Sequence, residues 1–432
     1  MFVEHPQRVA LHNEIHARPF GGVTSPARCS CIAFQAGEEF DEDVRDHFVA
    51  FCNRYSLTPP AADQKYFEAA CDGFSVIWER HAEFTVYVFK RMEPFDNPFE
   101  DPVINLVPQD WLSETPGQLM VGLHIVVETA ERSADEISRL FDHNGLTGSR
   151  VLGGTAQVWT DFRLHGDGFG RILIKDQGME QLQAGRLVQR LKEIEVYRMM
   201  ALLAFPLAHC ATPKVSEIDT RLSDITAEMA SKTQTNDEET LSKLTDLAAQ
   251  TEEMAASLNY RFSAARAYYR IVQARLTELR EERVEGVQTI TEFMERRLAP
   301  AMRTCQNIGD RLEVLSKRVA RANNLLRTRV DILLEAQNRD LLASMDRRVK
   351  LQLRLQQTVE GLSVAAITYY AVGLLGYLFK ALKDAGVPIN DRAATGIAVP
   401  VVLAAIWISM RRIRKVLHRE DNIDSDKVNK TY

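Results

Sequence analysis

The chain has 432 residues, 45% hydrophobic and 26% charged, a balance that excludes a largely disordered protein. The formal net charge of -6 excludes a strongly basic, nucleic-acid-binding protein. The opening MFVEHPQRVA has no secretory signal pattern, and the six cysteines are scattered, so we expect a cytoplasmic N-terminal part with reduced thiols.

The first motif, HPQRVALHNEIHARPF at 5–20, places three histidines, two arginines and one glutamate around two prolines. On a strand, His12, Glu14 and His16 share one face and could bind a metal, but Arg18 would oppose the cation. The arginines could instead hold a phosphate or carboxylate. A third interpretation is a segment with a purely structural role, which directs the chain into the first strand. The candidate anion ligands are His5, Arg8, Glu14, His16 and Arg18.

Two βαββ units are predicted between Arg28 and Asp176. The first comprises a strand at 29–34, a helix at 41–55, and the strands GFSVIW and FTVYVF around ERHAE. The second comprises a strand at 119–128, a helix at 133–141 capped by Ser133, and a hairpin around HGDG. Together they predict an α+β domain, a mixed sheet with helices on one face.

The turn WERHAEF in the first hairpin alternates aromatic and charged groups. It is either a second polar ligand cluster or a salt-bridged surface turn. Its candidate residues are Trp78, Glu79, Arg80, His81 and Glu83. The chain contains no G-x-S-x-G, no phosphate-binding glycine loop and no H-E-x-x-H, so no catalytic residue is predicted, and cofactor and metal stay unknown.

A long helical stalk is predicted from 181 to 361, where Ala, Leu, Glu, Arg and Gln dominate. Residues 185–208 begin it as a core helix, because Arg198 and Pro206 interrupt the apolar run. Pro300 is expected to end one helix near Leu298 and start the next. An apolar seam for packing along another helix follows at Ile308, Leu312, Leu315, Val319, Ala322, Leu326 and Leu333.

Two uncharged runs, 362–379 and 393–410, are each just long enough to span a bilayer as a helix. Basic residues flank their outer ends, so the N-terminal domain and the tail are expected on the cytoplasmic side of a bacterial inner membrane. Ser363, Tyr370 and Tyr377 share one helix face, which could line a pore or pack against a neighbouring helix. No charge lies inside either run.

The motifs above, with GRLVQRLKEIEVYRMMALL and SMDRRVKLQLRLQQTVEGLSVAAITYYAVGLLGYL, resemble a bacterial family of predicted membrane-anchored proteins, domain of unknown function 3422. The resemblance covers essentially the whole chain and implies no activity. The layout is also similar to CorA-type magnesium transporters. Their Gly-Met-Asn signature is absent here, where the chain reads GYLFKALKDAGVPIN.

The sequence therefore predicts four parts: an α+β cytoplasmic domain at 1–180, a stalk at 181–361, a transmembrane hairpin at 362–410 and a basic tail at 411–432. The leading hypothesis is a membrane-anchored oligomeric scaffold or sensor. The partners expected are the lipid bilayer and further copies of the chain through the stalk and spans. The alternatives are a CorA-like channel and an enzyme that acts on an anionic substrate through the N-terminal motif.

Overall fold

The computed structural model describes residues 2, 4–8, 11–12, 21–37, 41–231, 237–384 and 390–428. The chain forms two compact units, Met1–Leu326 and Arg327–Tyr432, which are described separately below. The predicted boundaries at 180, 361 and 410 stay predictions.

The first unit contains a mixed sheet of nine strands among its described residues. In chain order they are β1 (Ala27–Gln35), β2 (Tyr66–Ala70), β3 (Ser75–Arg80), β4 (Phe84–Arg91), β5 (Gln118–Glu128), β6 (Thr147–Val151), β7 (Ala156–Thr160), β8 (Gly170–Asp176) and β9 (Glu282–Arg283). Their order across the sheet is β2-β3-β4-β1-β5-β8-β7-β6-β9. Because β1 and β5 pair at the centre, β1 to β4 form a first half and β5 to β8 a second half.

The helices of this sheet region are short. They are α1 (Asp41–Arg54), α2 (Gln109–Ser113) and α3 (Ala134–Leu140), with a 3-10 turn at Val103–Leu106. Ser133 caps α3 and forms a reciprocal capping box with Glu136, as its sequence predicted.

The predicted mixed sheet is confirmed, but the repeat of two βαββ units is wrong in two respects. Each half has an extra outer strand, β2 or β6, so each is a βαβββ unit. In the first half β4 runs antiparallel to β1, whereas in the second half β8 runs parallel to β5. The halves share a strand order without being copies of one another.

Helices cover both faces of the sheet rather than one. β4 is buried along nearly its whole length, FTVYVFK, so both of its faces need apolar cover. One face, here called the inner face, packs on α4 (Gln181–Leu202), which buries Leu187, Leu191 and Ile194. The opposite, outer face packs on α1 in the first half and on α3 in the second.

Three further helices complete the first unit: α5 (Ala204–Ala230), α6 (Asp237–Leu279) and the beginning of α7 (Ile290–Asp384). The predicted seam of α7 is buried from Ile308 to Leu326, in one cluster with apolar residues of α5 and α6. Leu333, the last predicted member, is 48% exposed. The buried part of the seam therefore ends at Leu326, although α7 continues.

Pro300 does not separate two helices, contrary to the sequence prediction. It lies inside α7, ten residues after the helix begins at Ile290. The break falls upstream, where Arg280 and Gly286 have φ angles of 49° and 77° and the short strand β9 intervenes. A residue with positive φ leaves the helical conformation, whereas α7 continues through Pro300 despite the lost hydrogen bond and the clash of the proline ring with the preceding turn.

The second unit contains the rest of α7 and α8 (Asp391–Val428). Three helical stretches in the described chain are long and apolar enough to cross a membrane, judged by length and composition: Gln181–Ala230, Ile290–Leu382 and Arg392–Arg412. In the most apolar window of the first, 39% is buried by the protein itself, compared with 6% and 0% in the others. Part of the first stretch is therefore already packed in the protein core.

Candidate functional site

Two of the five predicted residues of the N-terminal motif lie in the described chain. Nδ1 of His5 accepts a hydrogen bond from the backbone N–H of Gln7 at 3.2 Å. Arg8 pairs with Glu4 at 2.6 Å, and both side chains are more than half exposed. Glu14, His16 and Arg18 lie outside the described residues. The proposed anion pocket therefore stays a prediction.

The WERHAEF residues divide between the two faces of the sheet. Trp78 packs in the outer core, where it stacks on Phe48 of α1 with ring centroids 4.8 Å apart. Glu79, the next residue, points to the inner face and is 4% exposed. Past the end of β3, Glu83 pairs with Arg261 of α6 at 2.7 Å. The motif is therefore largely buried, not a solvated turn.

His81 belongs to the inner side of this cluster, and Arg80 is half-buried at the end of β3. The His81 ring stacks on Phe84 at 4.3 Å, and its Nε2 lies 3.7 Å from a Glu79 carboxylate oxygen. The structure thus brings Glu79, His81 and Glu83 to the side covered by α4 and α6, and it separates them from Trp78.

A small cavity of about 30 Å³ lies beside Glu79, between the inner face and α4. Lys192 of α4 donates hydrogen bonds to both Glu79 carboxylate oxygens at 2.7 Å. A second pair lies nearby: Lys90 donates to Glu68 at 2.8 Å, and the Tyr66 hydroxyl donates to the other Glu68 oxygen at 2.8 Å. A space of this size holds one or two water molecules.

The chain that follows the N-terminal motif passes directly over these ion pairs. A Cβ atom on Gly21 would lie 2.6 Å from a Glu68 oxygen and 2.7 Å from the Lys90 ammonium nitrogen. A Cβ on Gly185 of α4 would lie 2.1 Å from the Gly21 carbonyl oxygen. The contact at Gly185 is with backbone, so only glycine fits there, and this close approach fixes the chain entry against α4.

Lys90, Lys192 and Glu68 were not predicted from the sequence. Their signal is a charged residue at a buried position of an apolar element: FTVYVFK for Lys90 and GRLVQRLKEIEV for Lys192. Buried lysines need anionic partners, and both have one here, although the sequence does not show which carboxylate supplies it.

Three titratable groups around the cavity have shifted pKa values. Burial opposes ionisation of Glu79, but the Lys192 ammonium and the nearby His81 outweigh it and hold the carboxyl pKa well below its usual range. Burial raises the pKa of the Cys31 thiol, which lines the cavity, to about 12. Burial raises the pKa of Tyr66 as well. These lining groups therefore supply no activated nucleophile.

A second buried polar network lies at the centre of the outer face. Nδ1 of His124 is 3.0 Å from the Ser30 hydroxyl, and Nε2 is 3.5 Å from a carboxylate oxygen of Asp167. Burial lowers the His124 pKa to about 4. Ser30 is fully buried and its oxygen already accepts the backbone N–H of Ile104 at 3.2 Å. Despite its composition, this trio lacks the exposed nucleophile of a catalytic triad.

His165 lies close to that network, between two aspartates. Its Nδ1 is 2.7 Å from Asp142 and its Nε2 is 3.2 Å from Asp161. Asp161 also accepts hydrogen bonds from Asn144 and from the backbone N–H of Arg163. Across the described residues, no group of three or more His, Cys, Asp or Glu side chains is placed to hold a metal ion.

The middle of α7, residues 327–360, has a different kind of surface. Apolar side chains at Leu334, Leu341, Met345 and Val349 are between 52% and 61% exposed. Their spacing of seven, four and four residues puts them on one side of the helix. Leu333, Leu351 and Leu355, at 48%, 60% and 66% exposure, form a second apolar row. We call these seven residues the apolar stripe.

The charged side of the same segment finds partners within the helix. Arg339 pairs with Glu335 at 3.4 Å, and Lys350 pairs with Asp346 at 2.6 Å, both with i,i+4 spacing. Two ion pairs of this segment thus form within the helix, whereas the apolar stripe is left exposed.

Of the three predicted span residues, the Ser363 hydroxyl donates to the Val359 carbonyl of its own helix at 2.9 Å. Tyr370 and Tyr377 are 71% and 77% exposed. The two uncharged runs come close at Gly376, where an added Cβ would lie 3.8 Å from the Thr395 methyl carbon. At the end of the second run, the Arg411 guanidinium lies 5.0 Å from the centre of the Trp407 ring.

Residues 3–417 match the model of a family described as Protein of unknown function (DUF3422). A search of curated proteins gave no match.

Proposed function

The chain belongs to the DUF3422 family of proteins of unknown function, and we propose that it is a membrane-anchored scaffold that self-associates through its long helix. In this proposal, the uncharged runs 362–379 and 393–410 hold the protein in a bacterial inner membrane. The sheet-containing unit and the tail face the cytoplasm.

The uncovered apolar stripe is the observation that carries the proposal. Each large apolar side chain left in water forgoes about 1.5–3 kcal/mol relative to burial. Seven such residues on one helix therefore represent a strong drive to associate, and the described residues of the same chain do not cover them. Two of the charged pairs of this segment form within the helix, so these four residues do not need a partner from a neighbour.

A second copy of the chain is the occupant that best fits this stripe. The stripe ends a few residues before the first uncharged run, so anchoring in one membrane would align all copies in parallel and at the same height. Identical stripes at one height pack in register, as in a parallel coiled coil. The segment mixes both signs of charge, so self-association meets no large electrostatic barrier.

The membrane anchor is supported by composition and by the span ends. The most apolar windows of the two helices in the second unit are 6% and 0% buried within the chain. Basic residues at 347, 348, 350 and 354 precede the first run, and Arg411 and Arg412 follow the second. This bias favours cytoplasmic ends. The Trp407–Arg411 contact is typical of a membrane–water interface.

The alternatives gain less support. An ion channel would need polar groups facing a pathway, whereas the Ser363 hydroxyl is bonded to its own helix and neither run contains a charge. An enzyme at the Glu79 cavity would need room for a substrate and a reactive group, whereas this cavity measures about 30 Å³ and its lysines are paired.

The test is the native mass of the full-length protein in a mild detergent, with and without Mg²⁺. We expect a multiple of the 48.9 kDa chain mass, unaffected by Mg²⁺. Met345→Asp should reduce the mass to one chain. Ala343→Asp, two residues away on the opposite side of α7, should leave the assembly intact. A wild-type monomer would contradict the proposal, and a ring whose mass depends on Mg²⁺ would favour the transporter instead.

A further inference from the structure

A second cavity lies on the outer face of the sheet, in its second half. It has a volume of about 290 Å³, near the lower end of the range for small-molecule pockets. Its floor is formed by β7 and β8, and its walls by Ile137 of α3, by Leu146 and by the β9 loop at Val284 and Val287.

The floor of this cavity has an apolar part and a polar part, laid out by the strand register. Trp159 of β7 pairs with Leu173 of β8, and two residues further along the same face Gln157 pairs with Lys175. All four side chains line the cavity. A ligand lying on this floor would therefore contact a ring and an aliphatic group at one end and an amide and an ammonium at the other.

The first half of the sheet shows what covers a tryptophan at this position. β3 and β7 lie equally far from the central strands, and Trp78 and Trp159 both point to the outer face. Trp78 is covered by the Phe48 ring of α1, stacked at 4.8 Å with an interplanar angle of 10°. No aromatic ring stacks on Trp159 in the part of the chain that the structure describes.

Helix length explains the difference. α1 has 14 residues and supplies Phe48 and Phe51, whereas α3 has 7 residues. The helix that covers the second half, α3, is thus too short to fill the space over β7. The unfilled space is the cavity.

The polar end of the cavity can bind a ligand without breaking the fold. The half-buried Gln157 amide has no hydrogen-bond partner among the described residues. Lys175 pairs with Glu131, whose side chain is 84% exposed, so water weakens that pair and leaves ammonium protons for a ligand. Arg132, by contrast, is held by both oxygens of Glu128 at 2.6 and 2.8 Å.

We propose that this cavity binds a small planar aromatic molecule that has hydrogen-bond acceptors along one edge. Its ring lies on Trp159 and Leu173, in the place that Phe48 occupies over Trp78. Its acceptor edge meets the Gln157 amide and the Lys175 ammonium. Such a ligand satisfies both ends of the floor, which an aliphatic or wholly apolar molecule does not. This inference does not depend on the membrane anchor or on self-association.

The test is a titration of the full-length protein in lipid nanodiscs, followed by ligand-detected NMR. The probe is indole-3-carboxylate, which has a flat ring and an acceptor edge. Indole, without the carboxylate, and cyclohexanecarboxylate, without the aromatic ring, are the comparison probes. We expect saturable binding of indole-3-carboxylate and at least tenfold weaker binding of both comparison probes.

Variants locate the binding. Gln157→Leu should weaken binding at least tenfold, and the fold should survive because this amide has no partner to lose. Ala130→Trp, at the cavity wall, should abolish binding by filling the space. Ala62→Trp, in an exposed loop before β2, should leave it unchanged. No saturable binding to the wild type, equal binding of the three probes, or full binding to both cavity variants would overturn the proposal.

Discussion

The two parts of α7 have apolar residues at similar spacing, but these residues are buried in the first part and exposed in the second. From Ile308 to Leu326 the residues of the predicted seam are at most 5% exposed, in one core with α5 and α6. From Leu334 to Val349 the corresponding residues are more than half exposed. Periodicity thus predicts that a helix has a seam, whereas the rest of the fold decides whether the seam is filled within the chain.

The largest expected effect separates these two parts directly. Leu312→Asp puts a carboxylate into a side chain position that is 4% exposed, and it should cost at least about 4 kcal/mol of the free energy of unfolding. Met345→Asp, at a position 55% exposed, should change the unfolding of the first unit by less than about 0.5 kcal/mol. Urea titration followed by circular dichroism measures both, and equal losses would contradict the division.

The next effect tests the buried ion pair that joins α4 to the sheet. Lys192→Met removes the ammonium partner of Glu79, which is 4% exposed, and should cost about 3–5 kcal/mol. Lys243→Met removes a lysine from an exposed pair with Glu239 and should cost at most about 0.5 kcal/mol. The double variant Lys192→Met, Glu79→Met should recover most of the loss. A Lys192→Met protein as stable as the wild type would show that this ion pair does not hold α4 on the sheet.

A smaller effect comes from His124, through pH. This side chain is neutral when folded at pH 7, with a pKa of about 4, and it gains a proton more readily once unfolded, where its pKa returns to the ordinary histidine value of 6.5. The unfolded state thus binds more protons between these values, and stability should fall by up to about 3 kcal/mol as the pH drops from 6.5 to 4.

A variant separates the contribution of His124 to the pH dependence of stability from that of the carboxylates, which also titrate in acid. His124→Asn should flatten the fall in stability between pH 6.5 and pH 4, whatever its effect at pH 7. Asp167 and Ser30 face this ring directly, and Arg171 and His165 act on it by charge. Identical pH profiles for the wild type and His124→Asn would rule out a buried neutral histidine.

The smallest effect is expected in the first uncharged run. Ser363→Ala removes a hydroxyl that is bonded to the Val359 carbonyl of its own helix, so the native mass of the assembly should not change. Dissociation of the Ser363→Ala protein in detergent would show that this hydroxyl makes contacts between copies.

Several elements of the fold were predictable because their signal is local. The helix at 41–55 and the strand at 119–128 agree with α1 and β5 within one residue at either end. β2 and β6, with sequences YFEAA and TGSRV, were missed because neither has a clear apolar alternation. They are strands through their pairing with β3 and β7.

The candidate site was harder to predict because it depends on distant partners. WERHAEF shows charged groups near the first hairpin, but Lys192 comes from a helix more than a hundred residues later. The cavity over Trp159 depends on how far α3 extends along the sheet, which depends on packing and not on the spacing of side chains. The stalk seam was predicted correctly up to Leu326 because it follows a simple helical period.

Disulfide cross-linking of α7 between copies in native membranes tests the central claim most directly. Single cysteines replace Leu341, Met345 or Val349 in the stripe, or Ala343 on the opposite side, each with Cys210→Ser because that thiol is exposed. A disulfide needs Cα atoms about 4.4–6.8 Å apart, so only packed positions should react. The account predicts dimer bands for stripe positions and none for Ala343→Cys. No dimer at any stripe position, or equal cross-linking on both sides, would contradict it.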